Sequence, residues 1–223
     1  MSELIRTDFD RLALLDDGGW THNNHYHPFL LDHIPAQCDK ALEIGCGSGA
    51  FSRLLAERSR HVLGLDLAPE MVRIAQERSK NCPNVEYQIV DILQWDFPCE
   101  KYDCIASIAT FHHLPLELML QKAKDALRPG GVLLILDLFK SETLADHLVD
   151  IISVPVHLFL RLAKTGKLRE SEAVRAAWAA HGVHDVYLPL SFIRQACSEV
   201  IPDARVQRHL MWRYSIIWKK TVS

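Results

Sequence analysis

Short apolar runs recur between residues 40 and 137, and each is followed by a stretch in which apolar residues fall at helical spacing. Their length and continuous apolar character are typical of strands buried on both faces of a parallel sheet. We predict strands at 41–44, 62–65, 85–90, 104–109 and 132–136.

The segments between these strands carry apolar residues three and four positions apart, which predicts amphipathic helices. Pro69 and Pro115 stand where a first helical turn would begin, a position that tolerates proline. Alternating strands and helices predict an α/β fold with a doubly wound, mostly parallel, Rossmann-like sheet of seven strands and right-handed crossovers.

The pattern changes after residue 137. Residues 141–181 predict two or three helices, broken near Pro155 and around 165–166. The runs at 205–210 and 213–218 are too close together for a crossover helix, so we predict an antiparallel pair at the sheet edge.

The chain is expected to form one domain over residues 1–223. We divide it into four parts, which are a helical N-terminal cap at 1–38, a ligand-binding core at 40–138, a helical insertion or lid at about 141–181, and the closing pair at about 205–218.

Composition narrows the possible partners. The net charge of −3 supplies no broad attraction for nucleic acid or anionic lipid. The apolar stretch 144–163 is interrupted by charged residues and proline, and the start MSELIRTDFD lacks an apolar segment. We expect a cytoplasmic protein with no nucleic-acid partner and no stable membrane insertion, whose oligomeric state the pattern does not indicate.

The segment from Glu43 to Gly49 follows the first strand, with glycine at 45, 47 and 49. Glycine lets the backbone come close to a ligand, and open α/β sheets bind ligands at the carboxyl ends of their strands. We interpret this segment as a ligand-binding loop. A turn that only permits tight strand–helix packing is the alternative.

Two carboxylates end the next two strands. Asp66 can accept hydrogen bonds from both hydroxyls of a ribose, or can simply supply negative charge at the start of the helix near Pro69. Asp91 can accept from an exocyclic amine, or can act as a turn residue. In combination with the glycine pattern, we favour the ligand-binding interpretation for both.

With the fourth strand running into 110–113 and the Pro-Gly-Gly turn at 129–131, the chain resembles the class I S-adenosylmethionine-dependent methyltransferases, in particular their broad small-molecule group. The resemblance is strong over residues 40–138. It implies S-adenosylmethionine as cofactor and S-adenosylhomocysteine as product. The cofactor-binding positions that it implies are Glu43, Gly45, Cys46, Gly47, Gly49, Asp66, Leu67, Met71, Asp91, Ile92 and Ile108.

In that family the glycine-rich loop holds the methionine part of the donor. The acid that matches Asp66 holds the ribose, and positions matching Asp91 and Ile92 address the adenine. Ala68 departs from the pattern, because related chains often carry Ser there.

Methyl transfer depends mainly on positioning, and a base is needed only where the acceptor must lose a proton. The candidate bases are His25, His27, His112 and His113, each of which has a packing or capping role as its alternative. We predict no metal site, since the histidines at 22, 25 and 27 lack cysteine or carboxylate partners at fitting spacing.

The fourth strand ends in 108–111 without the Asn/Asp-Pro-Pro-Tyr-like tetrapeptide that related enzymes acting on DNA bases or glutamine carry there, which favours a small organic acceptor. We predict that 20–28 and 141–181 converge beside Phe111, His112 and Phe139 and form an apolar acceptor pocket. The insertion's apolar stripe consists of Leu148, Ile151, Ile152, Val156 and Leu160.

Two other functions remain open. An NAD(P)-dependent oxidoreductase is compatible with the loose fingerprint Gly45-x-Gly47-x-x-Ala50, although Glu43, Gly49 and Asp91 argue against it. A non-catalytic S-adenosylmethionine-binding protein would carry the same donor-binding residues.

Overall fold

The predicted apolar runs are strands of one sheet in the computed structural model, which describes residues 2–16, 18–183 and 185–222. The strands are β1 (Lys40–Ile44), β2 (His61–Asp66), β3 (Val85–Ile89), β4 (Tyr102–Ile108), β5 (Leu127–Leu138), β6 (Arg205–Arg208) and β7 (Arg213–Lys219). Their order is β3-β2-β1-β4-β5-β7-β6, and β7 runs antiparallel to both β5 and β6. The mostly parallel seven-stranded sheet and its antiparallel closing pair are confirmed.

Helices lie along the sheet as the alternating pattern predicts. They are α1 (Ser2–Ala13), α2 (His22–His25), α3 (His27–Leu31), α4 (Ala50–Ala56), α5 (Pro69–Arg78), α6 (Leu116–Ala126), α7 (Leu144–Thr165), α8 (Glu172–Gly182) and α9 (Leu190–Val200). The N-terminal cap is helical as expected, although Met1 and Asp17 of that segment lie outside the described residues. No helix in the described ranges combines the length and apolar character needed to cross a membrane.

Both faces of the central strands are buried. Since successive side chains of a strand point to opposite sides, neighbouring residues enter different cores. Leu42 and Ile105 belong to the core on the side of α6 and α9. Their neighbours Ala41, Cys104 and Ala106 belong to the core on the side of α3 and α4. This packing fixes the carboxyl ends of β1, β2, β4 and β5 along one edge of the sheet.

The helical insertion differs from its prediction at Pro155. The chain continues through this proline as one helix, α7, and ends only at Gly166, whose φ is +69°. Proline leaves the carbonyl of Ile151 without its helical donor, but both residues are exposed, so water can satisfy that carbonyl. The predicted break near Pro155 is therefore wrong, and the one at 165–166 is confirmed.

The orientation of α7 also contradicts the expected apolar pocket wall. Leu148, Ile151 and Ile152 face outwards, with 62%, 67% and 54% of their surface exposed. Polar contacts hold the opposite face against the domain, since Ser153 Oγ accepts from the Met211 N–H at 2.9 Å and Asp146 pairs with Arg208. These polar contacts, together with Leu160 against the core, hold the helix with most of its predicted apolar stripe facing outwards.

Candidate active site

The glycine loop, residues 45–49, turns sharply between β1 and α4. Gly45, Gly47 and Gly49 all have positive φ, at 71°, 51° and 73°. The N–H groups of Gly45 and Cys46 both donate to the Leu65 carbonyl, at 2.8 and 3.0 Å, which ties the loop to the end of β2. The loop therefore lies at the carboxyl edge of the sheet.

Two of these glycines are required for packing. A Cβ at Gly45 would collide with the Thr110 side chain, and one at Gly49 would collide with the Tyr87 hydroxyl. Gly47 is different, because a Cβ there would meet nothing within 4 Å. The packing alternative explains Gly45 and Gly49, whereas Gly47 faces open space that a ligand can occupy.

Substitution of Gly47 tests whether this residue contacts the ligand, because backbone strain lowers stability whereas a lost contact lowers ligand affinity. Gly47→Ala introduces a side chain at positive φ, which costs about 1 kcal/mol of stability, and fills the open space beside the loop. We expect the variant to fold and to lose at least about tenfold in calorimetric affinity for S-adenosylhomocysteine, since each 1.4 kcal/mol of lost contact is tenfold.

Gly166→Ala is the matched control for this substitution. Gly166 also has positive φ, at 69°, and a Cβ there also meets nothing within 4 Å, but it ends α7 instead of lying in the glycine loop. The control should lose similar stability and keep its affinity. Equal affinity losses in the two variants would contradict a ligand contact at Gly47.

The carboxylate of Asp66 supports the glycine loop directly. Its Oδ2 accepts from the Gly47 N–H at 2.8 Å, and its Oδ1 accepts from the Ala68 N–H at 2.9 Å. Burial raises the pKa of Asp66, while these hydrogen bonds act in the opposite direction. A carboxylate oxygen can accept more than one hydrogen bond, so Asp66 retains acceptor capacity beside the open space at Gly47.

Helix α1 covers the neighbouring part of this edge. Leu12 and Ala13 pack against Ala68 and Met71 at the start of α5. Asp10 accepts from the Glu70 N–H at 2.9 Å, which caps α5. Of the predicted cofactor-binding positions, Met71 thus lies under a helical cover, and Leu67 is half-buried next to Ala68.

Asp91 lies beside Asp66 at the end of β3. The Val90 N–H donates to the Asp66 carbonyl at 2.8 Å, which joins the two strand ends. The Asp91 carboxylate accepts from the Leu93 N–H at 3.0 Å, so it has the turn role that we considered as an alternative. Ile92 packs against the core on the α6 side.

Glu43 and Cys46 lie under the loop instead of in the open space beside it. Glu43 is 2% exposed and accepts a short hydrogen bond from Ser52 Oγ. Burial, together with the nearby Asp66, raises the pKa of Glu43 to about 8, against the effect of the Ser52 hydrogen bond. Burial likewise raises the pKa of the Cys46 thiol. Glu43 is consequently neutral over much of the physiological range.

The turn after β4 brings His112 and His113 to the same edge. Both oxygens of Asp137, which is fully buried near the end of β5, hold His112. Its Nδ1 lies 2.6 Å from Oδ1, and its backbone N–H donates to Oδ2 at 2.9 Å. Ile108 and Thr110 precede this turn, and the Thr110 side chain packs against Gly45.

His113 lies in a group of residues that sequence reasoning missed. Its Nδ1 is 3.6 Å from Asp185 Oδ1, and the same oxygen is 3.5 Å from His181 Nε2. The ring of Phe9, from α1, contacts the rings of His113 and His181. Burial, assisted by the neighbouring histidines, lowers the pKa of His113 to about 4. We call His112, His113, His181 and Asp185 the rim cluster.

The candidates His25 and His27 are not part of the rim cluster. His27 packs against the Phe51 ring, with centroids 5.0 Å apart, and burial lowers its pKa to about 4. His25 is exposed at the end of α2. The structure therefore places neither histidine where it could act as a base at the rim. His112 and His113 are the two candidates that reach the rim.

Segments 20–28 and 141–181, which we predicted to converge, contact each other through polar side chains. His22 Nε2 lies 2.7 Å from His157 Nδ1 of α7, between the rings of Trp20 and Trp212. Asn23 accepts from the buried Arg213 guanidinium at 2.9 Å. The two segments meet through the His22–His157 pair, and Trp20 and Leu160 pack against the same core, while the Asn23–Arg213 bond joins the first segment to β7.

Comparison with known proteins finds similarity to methyltransferases. A family described as "Methyltransferase domain" matches residues 41–131. An uncharacterized methyltransferase of Mycobacterium tuberculosis is 26% identical over 208 residues, which cover 92% of this chain and 100% of the relative. The ubiquinone biosynthesis O-methyltransferase of Xylella fastidiosa is 27% identical over 198 residues, covering 80% of this chain and 78% of that protein.

A solved structure shares the fold. The N-methyltransferase NodS from Bradyrhizobium japonicum, in complex with S-adenosyl-l-homocysteine, superimposes with a TM-score of 0.64 at 18% identity, covering 97% of this chain and 98% of that one. The family match spans the glycine loop, Asp66, Asp91 and the turn after β4, and Gly47 faces open space next to Asp66. This evidence favours methyl transfer over the oxidoreductase alternative, and the family match, the similar methyltransferases and the shared fold together support a class I S-adenosylmethionine-dependent methyltransferase.

Proposed function

We propose that this methyltransferase acts on a small organic molecule, whose reactive atom is delivered to the rim cluster. The observation that carries the proposal is the burial of that cluster. The side chains of His112, His113, His181 and Asp185 are between 3% and 9% exposed. A protein or nucleic-acid substrate would require an open surface around the reacting groups, and here α1 and α8 cover them.

S-adenosylmethionine supplies an electrophilic methyl group on its sulfonium sulfur. The part of this chain is to hold the donor at the glycine loop and Asp66, to place the acceptor in line with that methyl group, and to exclude water. Thr110 connects the two sites, since it packs against Gly45 and directly precedes the turn that bears His112 and His113.

The charge around the cluster also suits a small polar acceptor. Two carboxylates outside the cluster contact its histidines, with Asp8 3.3 Å from His181 Nδ1 and Asp137 2.6 Å from His112 Nδ1. Arg213, also buried, is close enough to Asp137 and Tyr187 for their charges to affect its pKa, which burial lowers. An acceptor with hydroxyl, thiol or amine groups can hydrogen-bond to this lining.

The named relatives support methyl transfer without selecting the acceptor atom. The Xylella protein is named an O-methyltransferase of ubiquinone biosynthesis, and NodS is named an N-methyltransferase. We therefore rest the choice of a small acceptor on the buried cluster.

Transfer of a labelled methyl group tests the proposal. The chain is incubated with methyl-labelled S-adenosylmethionine and a cell extract separated into small-molecule, protein and nucleic-acid fractions. We expect label in the small-molecule fraction, with the Asp66→Ala variant as the donor-binding control that remains at background. Label in the protein or nucleic-acid fraction would overturn the proposal. Absence of transfer by a chain that binds S-adenosylhomocysteine would instead support the non-catalytic alternative.

A further inference from the structure

Three members of the rim cluster are arranged as metal ligands. Ligand atoms of His112, His113 and Asp185 all lie within 4.8 Å of one another, and His181 Nε2 approaches the same Asp185 oxygen. Two imidazoles and one carboxylate, with a third imidazole beside them, match the donor types of transition-metal sites. The sequence analysis predicted no metal site, because these residues are far apart in the chain.

The separations within the cluster fit an ion between its members. His113 Nδ1 and His181 Nε2 lie 3.6 and 3.5 Å from Asp185 Oδ1, which is too long for a good hydrogen bond. Ligand atoms about 2.0–2.1 Å from a tetrahedral ion lie roughly 3.4 Å apart. The spacing between His113 Nδ1 and Asp185 Oδ1 is therefore that of two ligands of one ion.

The cluster also contains buried polar atoms that lack partners. Within the described part of the chain, His113 Nε2 and Asp185 Oδ1 have no hydrogen-bond partner. A buried polar atom without a partner costs about 1–3 kcal/mol, so native structures seldom leave one unexplained. A bound cation would satisfy the carboxylate oxygen of Asp185, which lies 3.6 Å from His113 Nδ1.

Outer contacts orient these side chains as they do in known metal sites, where the second nitrogen of a histidine ligand meets a carboxylate. Asp137 lies 2.6 Å from His112 Nδ1, and Asp8 lies 3.3 Å from His181 Nδ1. The Tyr187 hydroxyl donates to Asp185 Oδ2 at 2.7 Å, which leaves Oδ1 directed at the histidines. Such a supporting shell gives the cluster a fixed geometry.

We propose that His112, His113 and Asp185 bind one divalent transition-metal ion of the zinc class at the acceptor side of the active site, with a further coordination position open to an acceptor atom. Imidazole donors select such ions over magnesium and calcium, which prefer oxygen ligands. The site follows directly after Thr110, which touches the glycine loop, so the ion lies next to the donor site.

The role of the ion rests on the proposed function. Coordination of an acceptor hydroxyl or thiol lowers the pKa of that group, and its proton leaves to solvent. The acceptor's electron pair then forms a bond to the methyl carbon while the carbon–sulfur bond breaks with its pair going to sulfur. The products are the methylated acceptor and S-adenosylhomocysteine, and charge and atoms balance without a further reactant.

Metal titration tests the site without reference to any acceptor. The full chain is stripped with a chelator and titrated with Zn²⁺ by calorimetry and with Co²⁺ by visible absorption. We expect one ion per chain and a cobalt spectrum with bands of a site containing nitrogen ligands. Asp185→Asn and His113→Ala should each weaken binding at least about 100-fold, and Asp137→Asn about 10–100-fold as for a supporting carboxylate.

Two histidine variants serve as controls. His61→Ala removes an exposed histidine, and His22→Ala disrupts the separate pair with His157. Both should bind the metal like the unmodified chain. Binding that survives in Asp185→Asn and His113→Ala, or that is lost in His22→Ala, places the ion elsewhere and overturns the proposal, as does the absence of binding.

The isosteric Asp185→Asn change keeps the test interpretable if His113→Ala fails to fold. Affinity for S-adenosylhomocysteine, measured on the same stripped samples, should not change with the metal content. A chain that binds the donor product but no metal refutes the metal site and leaves the proposed function standing.

Discussion

Asp66→Ala is expected to lower affinity for S-adenosylhomocysteine by about 100- to 10,000-fold. Two hydrogen bonds from ribose hydroxyls to a carboxylate contribute about 1.5–3 kcal/mol each, and every 1.4 kcal/mol is a factor of ten. The substitution also removes the acceptor for the Gly47 N–H, so the glycine loop loses one of its hydrogen bonds to the end of β2. Calorimetry of the folded variant measures the change.

Two further aspartate variants separate the causes of this loss. Asp66→Asn keeps an acceptor for one backbone N–H but removes the charge, so its affinity should fall between those of the unmodified chain and the alanine variant. Asp96→Ala removes an exposed aspartate elsewhere in the core and should have no effect. An unchanged affinity in folded Asp66→Ala would remove this carboxylate from the donor site.

The sheet was predictable because its strands are buried on both faces and therefore appear as continuous apolar runs. β1 illustrates this, since Ala41 and Leu42 enter different cores and both must be apolar. Closing strand β7 was found for a similar reason, because most of its residues are buried. Helix α9 was missed, although Leu190, Ile193 and Cys197 fall at helical spacing after Pro189, as in the helices that begin near Pro69 and Pro115.

The donor half of the site was predictable because its parts follow strand ends in chain order. A strand, a glycine loop and a carboxylate at the next strand end are local patterns, and the parallel sheet brings them together. Asp66 and Gly47 are joined at 2.8 Å for this reason. The structure was needed to separate packing from ligand-facing glycines and to show that Glu43 and Cys46 lie beneath the loop.

The acceptor half was not predictable in the same way. His113 meets His181 and Asp185 because α8 folds back over the rim, and no local spacing encodes that contact. The predicted apolar pocket wall on helix α7 was wrong for a physical reason as well, since an apolar stripe normally faces the core. Here Ser153 and Asp146 bind on the inner side of the helix, and Leu148, Ile151 and Ile152 face outwards.

The buried carboxyl group of Glu43 should make the stability of the ligand-free chain depend on pH. Its pKa is raised from 4.5 to about 8 in the folded chain, so the folded state binds a proton that the unfolded state releases. Stability from this group is present in full below about pH 4.5 and is lost as the pH rises towards 8. The free energy of unfolding should fall by up to about 1.4 kcal/mol per pH unit within that window.

Glu43→Gln replaces the protonated carboxyl with a neutral group of the same shape that can still accept from Ser52 Oγ. In denaturant titrations from pH 4.5 to 8 we expect this variant to lose most of the slope that the unmodified chain shows. The pKa of Asp66 is also raised, so Asp66 contributes a slope of the same sign, and the difference between the two chains isolates Glu43. Glu57→Gln, at an exposed position directly after α4, is the matched control and should retain the full slope. Identical pH dependence in the Glu43→Gln variant and the unmodified chain would mean that Glu43 is ionised beneath the glycine loop throughout this range.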